Sequence, residues 1–278
     1  MKLKIKDFII YRLNIKKYLC ISHITWQKGI EYRFSVFYMI IEAIIPSIAM
    51  IFLWRTIYNN GDLIGGYTFS ELVMYFIGAR FINYFVWYAI DWKLYEQIHE
   101  GNLSTLLLKP IDVQAYYFWE MIGDRVVNIV LGVIPLFILI IILGNHFEFQ
   151  VSLYNIFSGI LSISLSCILW FLVSWTIGCY VFWAQKADMI LFVKEMVIMI
   201  LAGVFFPIDI LPSYIVSLID KTPFPYLAYF PLKILFTDME ETNISVGLMT
   251  QIIWCMIFFV LGRIIWKQGL RKYVEVGG

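Results

Sequence analysis

The hydrophobic residues of this 278-residue chain fall into long runs separated by shorter polar segments. A helix needs about 20 mostly apolar residues to cross the hydrocarbon core of a bilayer. The runs predict six transmembrane helices, at 34–54, 70–90, 126–144, within 149–185, at 187–206 and at 246–266. The fourth run is longer than one span needs, so part of it should lie at an interface or beyond the membrane.

The polar segment between the second and third predicted spans, residues 91–125, has a helical pattern of its own. Ile90, Leu94 and Ile98 recur at every fourth position, and charged residues occupy the opposite face, which predicts an amphipathic helix leaving span two. Gly101 is a plausible end for this helix. Asp112 is suited to cap the next helix, which leads into span three.

A short leucine-rich stretch, residues 103–109, lies between these two helices and ends before a proline. A segment of this size cannot bury apolar side chains in a core of its own. We therefore expect its leucines to need an outside surface, which could be the lipid headgroup region, the ends of other helices or a partner protein. These leucines are Leu103, Leu106, Leu107 and Leu108.

A second unusual segment, residues 207–243, follows the fifth predicted span. Five of the eight prolines lie between 207 and 231, and proline does not continue a helix interior. The apolar stretch between the proline clusters is too short to cross a bilayer. The pattern predicts short re-entrant helices that pack on the spans, either as a gate over a pathway or as a structural cap.

The composition is typical of a membrane protein, and the charges predict its orientation. Charged residues make up only 15% of the chain, against about 25% in soluble domains. Seventeen of the 21 Lys and Arg residues fall in residues 1–33, in 91–125, at or near the junction of spans four and five (Lys186 and Lys194), or at the C-terminal end. Because cytoplasmic loops carry such an excess, both termini and residues 91–125 are predicted to be cytoplasmic. Residues 1–33 suit an interfacial helix on the inner leaflet, or only a basic tail that fixes the topology.

Two charged residues fall inside the first two predicted spans. Glu42 lies in span one and Arg80 in span two, and a charge at the bilayer centre costs about 2.5–3.5 kcal/mol on insertion scales. The two residues could pair, either as a structural ion pair or as part of a pathway. For Lys194 and Glu195, in span five, the simplest interpretation is that their side chains extend to the membrane surface.

Several kinds of chemistry are missing from the sequence. The three histidines lie outside the predicted spans, which argues against an intramembrane metal enzyme that acts on lipids. The four cysteines show no paired spacing, so neither a disulfide nor a metal site is predicted. No G-x-x-x-x-G-K-[ST] loop occurs, and the chain should not bind ATP itself. A net charge of +1 gives no general attraction to nucleic acid.

Two motifs give the chain a family resemblance. One is EGNLSTLLLKPID at 100–112, which fits the pattern E-G-x-L-x-x-x-L-L-[KR]-P-[IV]-D. The other is F-P-x-x-x-L-P at 206–212, followed by P-F at 223–224 and Y-F-P at 229–231. With six predicted spans, the chain resembles the ABC type-2 permeases, the membrane subunits of ABC exporters, and in particular a bacterial subgroup that carries both motifs.

The resemblance implies one permease domain over 1–278, an all-α integral membrane protein with six transmembrane helices. It implies a cytoplasmic coupling helix between spans two and three that docks on a separate dimer of ABC ATPase subunits, which would bind ATP and Mg²⁺. A second permease subunit, membrane lipids and the bacterial cytoplasmic membrane complete the expected setting. The expected docking residues are Glu100, Gly101, Asn102, Leu103, Leu106, Leu107 and Lys109. The expected outer gate or cap residues are Phe206, Pro207, Pro212, Phe224, Tyr229 and Pro231.

No catalytic residue is expected in such a subunit. The alternative function is that of a non-transporting membrane scaffold or immunity protein that shares the fold.

Overall fold

A computed structural model describes residues 15–31, 33–58, 64–143, 152–184, 186–236 and 239–273. Across these ranges the regular structure is helical, with one isolated bridge between Ile64 and Tyr67. The predicted all-α fold class is therefore confirmed. The first fourteen residues of the predicted interfacial segment 1–33 lie outside the described residues.

The described residues form eleven α-helices and three short 3-10 turns. The helices are α1 (Ile15–Glu31), α2 (Arg33–Ile57), α3 (Phe69–Val86), α4 (Ile90–His99), α5 (Leu103–Leu107), α6 (Val113–Leu143), α7 (Leu153–Gly178), α8 (Asp188–Leu201), α9 (Ser213–Ile219), α10 (Tyr229–Phe236) and α11 (Glu241–Leu270). The 3-10 turns are Cys179–Phe182, Ile208–Ile210 and Phe224–Leu227.

Two of the described helices are long and apolar enough to cross a membrane. They are Leu153–Phe182, which is α7 with its 3-10 extension, and α11, each 30 residues long. A third span is possible if α3 and α4, which are bent by 41° at a short break, count as one. The described part of the chain thus contains two or three candidate spans, and the arrangement of six remains a prediction.

Helix α8 is shorter than the fifth predicted span, which extended to residue 206. Its 14 residues measure about 21 Å, whereas the hydrocarbon core of a bilayer is about 30 Å thick. The helix ends because Gly203 adopts a positive φ of 73°. The amide of Gly203 donates to the carbonyl of Ile200, and the amide of Val204 donates to that of Met199, the pattern of a glycine-terminated helix.

Helix α7 lies at the centre of the helix packing, in contact with α3, α4, α10 and α11. Its Trp170 is fully buried, stacks on Trp87, and donates its indole N–H to the carbonyl of Tyr88 at 2.9 Å. Its buried contact with α11 includes Gln251, which accepts from the Ser162 hydroxyl and donates to the Tyr226 carbonyl. These bonds satisfy the Gln251 amide, which would otherwise be costly to bury.

Candidate functional site

An exposed surface surrounds the short helix α5 and the turns on either side of it. It consists of Glu100, Asn102, Thr105, Leu107, Leu108 and Lys109, and we call it the α5 surface. The Leu108 side chain is 88% exposed, and the adjacent Leu107 side chain is 38% exposed. Asn102 donates to the Glu100 carboxylate at 2.8 Å. The surface therefore offers apolar side chains, both signs of charge and an amide.

Two of the four leucines in this segment do not face outward. Leu103 is completely buried and Leu106 nearly so, and both belong to the main hydrophobic core together with Leu94 and Tyr117. Of the three surfaces that the sequence left open for these leucines, other helices of this chain cover this pair. Both leucines anchor α5 to the rest of the chain, and neither can contribute directly to the exposed surface.

Gly101 sets the sharp turn between α4 and α5. Its φ of 75° lies in the left-handed region that side chains other than glycine rarely adopt. Gly101 is buried. Its carbonyl oxygen accepts hydrogen bonds from the hydroxyls of Ser104 at 2.9 Å and Tyr273 at 3.0 Å. The predicted helix end at this glycine is confirmed, and the turn is tied to the C-terminal end of the chain.

The loop after α5 is held by helices from both ends of the sequence. From α1, the Lys17 ammonium donates to the Pro110 carbonyl at 3.1 Å, and the Tyr18 hydroxyl accepts from the Asp112 amide at 3.2 Å. From α11, Arg263 forms a salt bridge of 2.6 Å with the Asp112 carboxylate. The same carboxylate accepts from the Ala115 amide at 2.9 Å, so the predicted cap of α6 is confirmed.

A buried ion pair joins α4 to α8. The Asp91 carboxylate bonds to the Lys194 ammonium, and their side chains are only 1% and 10% exposed. The neighbouring Glu195 carboxylate accepts from the Trp87 indole at 2.6 Å. The interpretation that Lys194 and Glu195 extend to the membrane surface is therefore wrong, because each has a partner inside the helix packing.

A second ion pair, between Glu42 and Arg80, joins α2 to α3. These are the two charged residues that the sequence suggested could pair. Arg80 bonds to both the carboxylate and the backbone carbonyl of Glu42. The Tyr84 hydroxyl donates to the other carboxylate oxygen at 3.1 Å. The two side chains are 13% and 35% exposed, for Arg80 and Glu42 respectively. The predicted pairing of Glu42 with Arg80 is present, and each side chain neutralises the charge of the other.

The proline-rich segment folds into α9, α10 and two 3-10 turns. Of the residues predicted to form a gate or cap, Pro207, Tyr229 and Pro231 are buried, Phe206 and Phe224 are half-buried, and Pro212 is exposed. The segment is tied to α8 by the Tyr229 amide, which donates to the Ala202 carbonyl at 3.0 Å. The short helices predicted from the prolines are present, and they pack on the longer ones.

A polar cluster at Asp209 connects this segment to its neighbours. The Asp209 carboxylate accepts from the Tyr67 hydroxyl at 3.1 Å and from the Lys233 ammonium at 3.3 Å. Burial, followed by the negative charge of Asp209, raises the pKa of the Tyr67 phenol, so Tyr67 stays a hydrogen-bond donor. Burial likewise raises the pKa of the nearby Asp220 carboxyl.

A comparison of the sequence with known protein families finds one family that matches most of the chain. Residues 44–277 match the family described as ABC-2 family transporter protein. The chain belongs to this family. No curated protein matches it in sequence. The match covers the α5 surface, the Asp91–Lys194 ion pair and the proline-rich segment, and it includes Arg80 but not Glu42.

As an ABC-2 family transporter protein, the chain is a membrane subunit of a kind that is typically non-catalytic. The family generally implies an ATPase partner. Among the residues that the structure describes, no group of His, Cys, Asp and Glu is placed to hold a metal ion.

The partners that hold the α5 surface in this ABC-2 protein were not predicted from the sequence. Asp91 carried a signal that could have been used, since it falls on the same helical face as Leu94 and Ile98. A carboxylate on an apolar face indicates a buried cationic partner. Tyr273 and Arg263 carried no local signal, because both reach the segment from more than 150 positions away in the sequence.

Proposed function

We propose that this chain is the permease subunit of an ATP-driven exporter and that the α5 surface docks on a separate ATPase subunit. ATP and Mg²⁺ would be bound by that partner, and this chain would contribute no catalytic residue. Two such permeases, identical or related, and two ATPases would form the transporter. It would lie in the bacterial cytoplasmic membrane, with both termini and the α5 surface on the cytoplasmic side.

The observation that carries the proposal is the combination of exposure and rigid attachment at α5. Leu107 and Leu108 face outward, while Leu103 and Leu106 fix the same helix to the core from its other side. A flexible loop would absorb a force applied to it. An exposed helix that is anchored by buried leucines can instead pass the force to the helices around it.

The connections of α5 give two routes by which a push could travel. One runs forward through Asp112 into α6, a continuous helix of 31 residues, and sideways through Arg263 into α11. The other runs back through α4 and the Asp91–Lys194 pair into α8. Helix α8 leads directly to the Gly203 turn and the proline-rich segment. Closure of the ATPases would therefore move the proline-rich segment at the other end of α8.

The docking surface is tested by placing a carboxylate at its most exposed leucine. Leu108→Asp should leave folding unchanged, because the side chain is 88% exposed. In the complex the carboxylate would be buried without a partner, at a cost of several kcal/mol. Each loss of about 1.4 kcal/mol weakens the binding of the ATPase about tenfold. We expect the ATPase to co-purify with the unaltered chain and to be lost from the variant.

The matched control is Leu218→Asp, the same change at a 63% exposed leucine of α9, which should retain the ATPase. If Leu108→Asp retains it as well, the α5 surface is not the docking site. If no protein with a phosphate-binding loop copurifies with the unaltered chain, the alternative of a non-transporting scaffold or immunity protein replaces the proposal.

A further inference from the structure

Two partly open cavities lie along α6 and α7, with α11 contributing to the wall of the first and α3 to the wall of the second. The first, of about 260 Å³, is lined by Gln114, Ala115, Phe259 and Arg263 among others. The second, of about 340 Å³, lies deeper along α6 and is lined in part by Arg125 and Ile129. Phe118 and Ile168 line both cavities, so the two form one elongated depression, which we call the α6–α7 groove.

The groove has the length and the lining of a site for a hydrocarbon chain. From Gln114 to Ile129 it follows 15 residues of α6, or about 22 Å. One leaflet of the hydrocarbon core is roughly 15 Å thick. The groove is therefore long enough to hold the part of an acyl chain that crosses one leaflet. The accessible surface of the first cavity is almost entirely apolar, and that of the second is mostly apolar, with Arg125 and Ser164 also in its wall.

The end of the groove near Asp112 carries a cation with unused hydrogen-bond donors. Arg263 is 35% exposed and bonds to Asp112 through one terminal nitrogen. A guanidinium has five N–H donors in a planar fork, and among the described residues Asp112 is its one hydrogen-bonded partner. The remaining donors can reach a phosphate group, for which the guanidinium geometry is well matched.

Gln114 adds a second polar group in the wall at the same end. The residue is only 4% exposed, and within the described part of the chain neither its amide oxygen nor its amide nitrogen has a hydrogen-bond partner. Buried amides are usually satisfied on both atoms. A small rotation toward the cavity would let the amide nitrogen donate to a phosphate oxygen and the amide oxygen accept from a hydroxyl.

We propose that the α6–α7 groove binds one acidic phospholipid of the phosphatidylglycerol class. One acyl chain lies between Phe118 and Ile168, the phosphate accepts hydrogen bonds from Arg263, and the headgroup glycerol bonds to Gln114. A zwitterionic lipid fits less well, because its ammonium group would lie beside the guanidinium. The site needs only the membrane setting and is independent of the proposed docking on an ATPase.

The test is native mass spectrometry of the purified full chain in detergent, with dioleoyl-phosphatidylglycerol or dioleoyl-phosphatidylethanolamine added. We expect one tightly held phosphatidylglycerol, bound about tenfold more strongly than the zwitterionic lipid, the effect of one charge-assisted hydrogen-bonded contact. Arg263→Gln should abolish this preference. Equal retention of the two lipids by the unaltered chain would overturn the proposal.

The controls separate the lipid contact from the salt bridge to Asp112. Asp112→Asn breaks the same ion pair but keeps the cation and a capping side chain, and it should bind phosphatidylglycerol at least as well as the unaltered chain. Arg271→Gln removes an exposed arginine two helical turns from Arg263 and should change nothing. Loss of binding in Asp112→Asn to the same degree as in Arg263→Gln would refute a direct role for Arg263.

Two further variants test the groove itself. Ala115→Phe places a ring in the first cavity and should displace the lipid. Gln114→Leu removes the unsatisfied amide without adding bulk, so it should fold at least as stably as the unaltered chain and bind phosphatidylglycerol less strongly. Unchanged binding in both variants, or a cross-link from position 115 to a second copy of this chain in the membrane, would overturn the assignment.

Discussion

The buried pair Asp91–Lys194 gives the sharpest prediction about how α4 is held. Replacing Lys194 with methionine keeps an unbranched apolar side chain of nearly the same length but removes its charge. The Asp91 carboxylate, 1% exposed in the folded chain, would then have no cation beside it. Removing one partner of a buried ion pair costs about 3–5 kcal/mol. The Lys194 ammonium also lies 5.2 Å from the ring centre of Trp170, and that contact would be lost too.

The double variant Asp91→Leu/Lys194→Met is predicted to behave differently. Replacing both members of a buried ion pair with apolar residues of similar volume is often neutral or stabilising. The double variant should therefore recover most of the stability that Lys194→Met loses. Lys267→Met, the same change at an exposed position of α11, should cost less than about 1 kcal/mol.

Unfolding by sodium dodecyl sulfate in dodecyl maltoside micelles, followed by circular dichroism, measures these differences. Lys194→Met, Asp91→Leu and the double variant, compared with the unaltered chain, form a cycle that isolates the energy of the pair. The reasoning is refuted if Lys194→Met unfolds at the same detergent fraction as the unaltered chain, or if the double variant is as unstable as Lys194→Met.

Three further changes test other parts of the account. Gly101→Ala forces a left-handed backbone on alanine and should destabilise the α4–α5 turn by about 1–2 kcal/mol. The expected result is faster hydrogen exchange at α5, and unchanged exchange would show that the turn is not constrained. Gln251→Leu removes the buried hydrogen bonds between α7 and α11 and should lower the stability by about 1–3 kcal/mol in the same unfolding assay, while an equal or higher midpoint would contradict their importance. A cysteine at Ser213 should react with a membrane-impermeant maleimide added outside the cell, and labelling only after lysis would reverse the predicted topology.

Local signals in the sequence were sufficient for much of the secondary structure. The left-handed glycine at 101 and the capping carboxylate at 112 act on residues within one helical turn, so the sequence pattern alone places them. The pairing of Glu42 with Arg80 could also be predicted from the sequence. An uncompensated charge in an apolar run requires a partner, and few others were present in the neighbouring run.

The burial of Leu103 and Leu106 could not be predicted because it depends on distant parts of the chain. A leucine-rich stretch of five residues fits equally well against lipid, another protein or its own bundle, and the helices that cover Leu103 become neighbours only in the folded chain. The same holds for Lys194, whose partner Asp91 is 103 residues away. The length of α8 was overestimated because the apolar run continues past Gly203, where the backbone turns.

Site-specific photo-crosslinking from position 108 in living cells tests the central claim most directly. A benzophenone amino acid replaces Leu108 in one strain and Leu218 in another, and the cross-linked products are identified by mass spectrometry. The account predicts that position 108 cross-links to a cytoplasmic ATPase with a phosphate-binding loop and that position 218 does not. Cross-links from position 108 only to lipid or to this chain, with the ATPase expressed in the same cells, would contradict it.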